Sequence, residues 1–227
     1  LYAKVIALVK DGDWMEAGLS ALEVEGSAQA VLSGERTALN LVMRMSGIAT
    51  KTRKLVDLCK AANPDVRVAA TRKTTPGFRR FEKRAVVLGG GWPHRSGLYD
   101  MVLVKDNHIR LAGGAVEAVK RVQAGAPAGL RIEVEVTCMD EAVAVAKMGV
   151  DAIMIDNASP NEGRRIAAEI RKLAPRTEIE ASGGITEENA AAYATWADIV
   201  SLGSLTHSYD SCDFSLEVTR VSREGKG

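Results

Sequence analysis

RIEVEVTCMDEAVAVAKMGVDAIMID, residues 131–156, reads as a strand, a helix and a second strand in one run. Arg131–Val136 is rich in β-branched residues, Met139–Lys147 carries Ala and Val at helical spacing, and Ala152–Ile155 is continuously apolar. Two strands joined by a helical crossover run parallel. The chemistry of the unit lies at its strand ends, where Glu135 and Asp156 interrupt apolar sequence.

The same alternation extends in both directions. Strands are predicted at Val66–Ala70, Ala85–Leu88, Met101–Val104, Glu178–Glu180 and Asp198–Ser201, and helices at Gly113–Ala124, Asn161–Leu173 and Glu187–Thr195. Seven such runs with helical crossovers predict an α/β fold whose parallel sheet is buried and largely apolar on both faces. A closed or nearly closed barrel is preferred to a doubly wound sheet, because no GxGxxG follows the first run and polar residues follow nearly every later one.

In a barrel the C-terminal strand ends share one rim. Thr71-Arg72-Lys73, Lys105, Glu135 and Asp156, far apart in sequence, are therefore expected around one pocket for an anionic substrate. Arg72 and Arg95 suit carboxylates, since a guanidinium makes paired, charge-assisted bonds. Pro76 is expected to open a helix along which Arg79, Arg80, Lys83 and Arg84 follow, most economically as a solvated face, with one or two of them turned into the pocket as the alternative. GGGWPHR (89–95) reads as a flexible loop ending in His94-Arg95, either an ordinary surface loop or one that closes over a ligand. The three histidines have no zinc-site spacing.

Glu133 and Glu135 lie two apart and face one side, with Asp156 ending the next run. Such carboxylates can hold Mg²⁺ carried in by a polyphosphate, orient a basic side chain, or pair with Lys105. Ser182-Gly183-Gly184 and Gly203-Ser204 follow two successive late strands, where many barrels bind phosphate through backbone N–H groups. Glycine also turns chains for steric reasons alone.

Ahead of Asn63-Pro64 the pattern differs. Strands at Lys4–Val9 and Ser20–Glu25 precede a helix from Ser27 to about Ala62, interrupted near Gly47. On this helix Arg36 reads from periodicity as a solvated arginine. The organisation is thus a partial N-terminal α/β domain with a long helical segment (1–63), an α/β-barrel (64–208), and a C-terminal segment returning to the N-terminal domain before a tail (209–227).

Composition fits a soluble enzyme. The 227 residues are 46% hydrophobic but only 4% aromatic, predicting a core of Ala, Val, Leu and Ile. A net charge of +1 gives no bulk attraction to nucleic acid or to an anionic membrane. Cys59, Cys138 and Cys212 are odd in number and widely spaced, so reduced cytoplasmic thiols are expected. No apolar run has the length of a membrane span or the form of a signal peptide.

Taken in order, ERTALNLVMRMSGIAT (35–50), TRKTTPGFR (71–79), GGGWPHR, LVKDNHI (103–109), IEVEV (132–136), IDNASP (155–160), EASGGI (180–185) and SLGSLTHS (201–208) closely resemble the quinolinate phosphoribosyltransferase family. The resemblance runs from about Gly26 to Ser208. It implies an open seven-stranded α/β-barrel (TIM-like) that converts quinolinate and phosphoribosyl pyrophosphate to nicotinate mononucleotide, pyrophosphate and CO₂ in NAD biosynthesis. It implies Arg72, His94, Arg95 and Lys105 around the quinolinate carboxylates, with Lys73 in the basic shell. Glu135 and Asp156 would face the sugar diphosphate and Mg²⁺, directly or through water, and with Lys105 form the catalytic set. Ser182, Gly183, Gly184, Gly203 and Ser204 would take the 5′-phosphate.

The resemblance also implies a homodimer, or a hexamer built from dimers, in which Arg36 reaches into the neighbouring subunit's site and so reverses its bland reading. Several N-terminal strands and helices of that family have no counterpart here, and TRVSREGKG (219–227) reads as an altered tail. Two further readings are a molybdenum-transport-associated relative with a different acceptor, and a catalytically silent binding or assembly protein.

Overall fold

A computed structural model describes residues 2–222. A small antiparallel pair, β1 (Ala3–Ala7) and β2 (Leu22–Gly26), leads into the 35-residue helix α1 (Ala28–Ala62). Ser27 caps α1 by accepting from the Ala30 N–H at 3.2 Å.

Six parallel strands follow: β3 (Arg67–Ala70), β4 (Val102–Val104), β5 (Ile132–Val136), β6 (Ala152–Asp156), β7 (Glu178–Ser182) and β8 (Ile199–Leu202). They lie in the order β3-β8-β7-β6-β5-β4. Helices α2 (Arg79–Leu88), α3 (Asp106–Ala112), α4 (Ala115–Gly125), α5 (Met139–Ala146), α6 (Pro160–Leu173), α7 (Ala190–Ala194) and α8 (Ser204–His207) alternate with the strands.

The α/β architecture is the expected one, but the sheet holds six strands rather than seven. Ala85–Leu88, predicted as a strand, is the last turn of α2. Glu82, Lys83, Ala85 and Val86 are its buried positions, at helical spacing. The free edge of β3 is occupied instead by Trp92, whose N–H donates to Val68 O at 2.7 Å and whose carbonyl accepts from Ala70 N–H at 3.0 Å.

The sheet is not apolar on both faces either. Val134, Val136, Ile153, Ile155, Ile179 and Ala181 point outward into two apolar clusters beneath the helices. Between them, Glu133, Glu135, Met154 and Glu180 are buried on the opposite, inner face. β5 and β7 therefore alternate with a period of two around a polar interior. At its N-terminal end this interior is plugged by Glu178, which pairs with both Arg67 and Arg131.

Helix α1 joins the outer layer through Ile48, Leu55, Val56 and Cys59, all buried against β3, α7 and β8. Each fully buried large aliphatic side chain contributes about 1.5–3 kcal/mol. The helix runs without a break through Gly47. A Cβ there would lie 2.1 Å from Asp210 O, and the next segment is tied to the same turn by Cys212 N–H to Met43 O at 3.1 Å. Gly47 serves close packing, not interruption.

Candidate active site

The C-terminal ends of the six strands form one rim. Arg72 follows β3, Lys105 follows β4, Glu135 lies in β5, Asp156 and Ser182 end β6 and β7 in register, and Gly203 follows β8. The predicted pocket residues are thus brought together, apart from Arg36. That arginine is exposed on α1, without an ion pair or side-chain hydrogen bond to the described residues.

Lys105 Nζ pairs with Glu135 Oε2 across neighbouring strand ends. Asp156 is half-buried beside them. Burial and the Glu135 charge raise its pKa, against the opposing pull of Lys105, Lys73 and a 2.6 Å bond from Asn157 Nδ2. Asn157 takes a left-handed φ of 56°, and its N–H donates to Ser182 O at 2.9 Å. This knits the ends of β6 and β7 together immediately before Gly183 and Gly184, both with positive φ.

Gly203 lies against the basic shell. A Cβ on it would meet His207 Nε2 at 2.8 Å and Lys73 Cδ at 3.2 Å. Thr206 Oγ1 donates to Lys73 O at 2.9 Å. Lys73, Thr206 and His207 line an open cleft of about 590 Å³ together with Arg44, Thr74, Thr75, Tyr209 and Ser211. Thr206 and His207 escaped the sequence reading; their one signal was adjacency to the Gly203-Ser204 helix start.

The arginine side of the pocket is braced from behind. Arg44 on α1 pairs with buried Glu82 on α2, whose other oxygen accepts from Thr75 N–H at 3.1 Å. Arg79 bonds Thr74 Oγ1 and Ser96 O, each at 3.0 Å. Lys83 is no solvated residue. Its ammonium is buried on Ala70 O at 3.0 Å and on Pro93 O, and burial with nearby arginines lowers its pKa to about 8. The expected start of this helix at Pro76 is a turn, and α2 begins at Arg79. Together these groups fix the 71–75 and 93–96 segments against each other. Arg95 is buried and, like every arginine, remains charged. Arg72 Nε is buried with no partner among the described residues, so it suits an incoming anion.

GGGWPHR packs closely on α1. A Cβ would come within 2.5 Å of Ala49 O at Gly89 and 2.6 Å of Thr52 Cγ2 at Gly91, so both glycines seat the chain on α1 before Trp92 joins β3. His94 then turns inward at φ 53°, its Nε2 2.9 Å from Glu180 Oε2 and 3.3 Å from Glu133 Oε2. Burial lowers its pKa, but the two glutamates outweigh that and raise it to about 9. Glu180 was not anticipated. Its signal was the E-x-E alternation that EIEAS shares with IEVEV on the strand two places away.

Among the described residues no helix is long and apolar enough to cross a membrane. Two family models match: the quinolinate phosphoribosyl transferase N-terminal domain over residues 2–46 and the C-terminal domain over residues 48–217. The chain is 44% identical over 217 residues to a probable nicotinate-nucleotide pyrophosphorylase (carboxylating) of Methanothermobacter thermautotrophicus, covering 94% of this chain and 78% of that protein. It is 41% identical over 197 residues to the human nicotinate-nucleotide pyrophosphorylase (carboxylating), covering 86% of this chain and 66% of that one. The crystal structure of NadC from Streptococcus pyogenes superimposes with a TM-score of 0.88 at 38% identity, over 95% of this chain and 75% of that one. With the basic rim, the acidic pair and the glycine loops all at the strand ends where the motifs put them, the chain belongs to the quinolinate phosphoribosyltransferase family.

Proposed function

We propose that this chain transfers the phosphoribosyl group of phosphoribosyl pyrophosphate to quinolinate with decarboxylation, giving nicotinate mononucleotide, pyrophosphate and CO₂ for NAD biosynthesis in the cytoplasm. The observation that carries this reading is one rim that holds a cationic set, Arg72, His94, Arg95 and Lys105, and an acidic set, Glu135 and Asp156, which meet at the Lys105–Glu135 pair. A dicarboxylate fits the first, and a developing sugar cation fits the second.

Arg72 and Arg95 orient the quinolinate carboxylates, with His94 and Lys105 beside them, and Lys73 adds positive charge over the phosphates. Backbone N–H groups at Ser182–Gly184 and Gly203-Ser204 take the 5′-phosphate. As the C1–O bond to pyrophosphate lengthens, the ribose gains oxocarbenium character that Glu135 and Asp156 stabilise. The pyridine nitrogen, held close, attacks C1. The C2–CO₂⁻ bond then breaks, its electron pair staying on C2 beside the cationic nitrogen until a proton arrives. No protein nucleophile is required.

Glu135 and Asp156 offer hard oxygen ligands, and their mutual repulsion at Asp156 is the kind a cation relieves, so the pair fits Mg²⁺ bound directly or through water. When bound, Mg²⁺ would neutralise charge on the departing pyrophosphate. The active unit is a homodimer in which Arg36 reaches the partner's pocket, either alone or within a hexamer built from dimers.

The test is pyrophosphate and nicotinate mononucleotide formation from quinolinate, phosphoribosyl pyrophosphate and Mg²⁺, alongside Arg72→Ala. Turnover abolished by the substitution supports the reading. A folded protein with no turnover and no quinolinate binding overturns it in favour of another acceptor or a silent assembly role.

A further inference from the structure

We propose that Glu180, with Glu133 beside it, is a positioning residue that holds His94 as an imidazolium, so that its Nδ1–H is a donor for an anionic substrate carboxylate. The inference rests on the quinolinate reading above and names how one part of that pocket is charged.

The geometry is specific. His94 Nε2 sits between two carboxylates, 2.9 Å from Glu180 Oε2 and 3.3 Å from Glu133 Oε2. Both glutamates are at most 1% exposed, and both oxygens of Glu133 and Oε1 of Glu180 have no hydrogen-bond partner among the described residues. Nδ1 likewise bonds no described residue, yet it is not among the sealed, unpartnered atoms. The ring is held between a tilted Trp92, at a centroid distance of 4.8 Å, and a left-handed backbone.

A neutral imidazole carries one N–H. With that hydrogen spent on Glu180, Nδ1 would present a lone pair, which repels a substrate carboxylate. Only the cation donates from both nitrogens. Two buried carboxylates, three of whose four oxygens have no hydrogen-bond partner among the described residues, favour that cation, because an uncompensated buried charge is costly.

The other polar groups near the triad do not undo this. Arg95 shares its loop, Lys83 of α2 bonds the preceding Pro93 O, Arg72 lies beside Arg95, and Ser201 of β8 is a neutral neighbour of Glu180. The raised His94 pKa agrees with the geometry.

The experiment is a ring-nitrogen NMR titration of histidine-labelled full chain, with His94 assigned by His94→Gln, alongside quinolinate calorimetry at pH 6 and 8. In the unsubstituted protein both His94 nitrogens are expected to stay protonated through pH 8. In Glu180→Gln the midpoint should fall by more than a unit, and quinolinate should bind about tenfold more weakly at pH 8 but near normally at pH 6. Glu133→Gln should shift both readouts the same way, and it serves if Glu180→Gln does not fold.

A His94 ring that is neutral at pH 7 overturns the proposal. So does one that cannot titrate because a metal ion sits among these three side chains, whose ligand atoms lie within 4.8 Å of one another. So does quinolinate binding in either variant that is weakened equally at both pH values. If the unsubstituted protein fails to bind quinolinate at all, the functional reading fails, while the nitrogen titration still decides the state of His94.

Discussion

Asn157 and Gly183 meet as two left-handed residues, at φ 56° and 84°, so closely that a Cβ on Gly183 would stand 2.3 Å from Asn157 Oδ1. The contact joins the loops after β6 and β7 and brings Asp156 beside the turn proposed to hold phosphate. Glycine is required twice over at position 183, for the backbone angle and for the space.

Gly183→Ala should therefore cost about 1–3 kcal/mol in urea unfolding and raise the KM for phosphoribosyl pyrophosphate more than that for quinolinate. An equal rise in both constants would mean that the loop disturbs the whole pocket instead of a phosphate site.

Helix α1 offers an internal comparison of two glycines. At Gly34 a Cβ meets nothing within 4 Å, whereas at Gly47 it would lie 2.1 Å from Asp210 O. Gly34→Ala is expected to stabilise by about 0.5–1 kcal/mol, the helix-propensity difference. Gly47→Ala should reverse sign and destabilise by roughly 2 kcal/mol or more, as the 209–212 segment is pushed off the helix. Denaturant midpoints check both, and equal stabilisation by the two would remove the packing role assigned to Gly47.

The contrast also shows which features were legible in the sequence. A single glycine in a helical pattern looks the same whether it breaks the helix or admits another segment of the chain, and only the long-range contact with Asp210 decides. Ala85–Leu88 misleads for a related reason: a short β-branched run matches both periods, and the buried Glu82 that continues the helical face does not look like a core residue. The rim residues were readable because each charge interrupts an apolar strand, as Lys105, Glu135 and Asp156 do. The partners of His94 were not, since Glu133 and Glu180 reach it only through barrel curvature across separate strands. Nor was the pairing of Trp92 with the β3 edge, which no apolar run announced.

The Lys105–Glu135 pair invites a double-mutant cycle. Lys105 is 44% exposed in its side chain, so the pair should contribute no more than about 1 kcal/mol to stability. Its effect on turnover should be larger, with Lys105→Met and Glu135→Gln each lowering kcat/KM about a hundredfold. The double variant should lose less than the product of the two, because each charge sets the environment of the other. Fully additive losses would show that the two act separately.

Stability should fall as pH rises from about 6.5 to 8. His94 is raised from 6.5 to about 9 in the fold, so its contribution is complete below 6.5 and is lost as pH climbs through 9. Glu133 acts in the same direction. Burial and the Glu180 charge raise it from 4.5 to about 7, so ionising it costs the folded state above 4.5. Lys83, lowered to about 8, opposes them only at higher pH. Urea unfolding should lose about 1–2 kcal/mol across the window, with a shallower slope in Glu180→Gln. A stability that rises with pH there would contradict the protonated triad.

Arg36 and Arg72 test the shared site most directly, because the proposed dimer takes one from each subunit. Arg36 is exposed on α1 with no bonded partner among the described residues, whereas Arg72 is half-buried at the β3 end with an unpartnered Nε. Arg36→Ala and Arg72→Ala should each be nearly inactive. If the two variants are mixed and allowed to exchange subunits, half of the dimers become mixed. In each of these, one site carries both substitutions and the other carries neither. Activity should therefore return to about a quarter of the unsubstituted level, with KM values for both substrates near normal in the recovered fraction. No recovery despite demonstrated exchange would place Arg36 outside the partner's pocket and return it to the role its periodicity suggests, a solvated arginine on the face of a long helix.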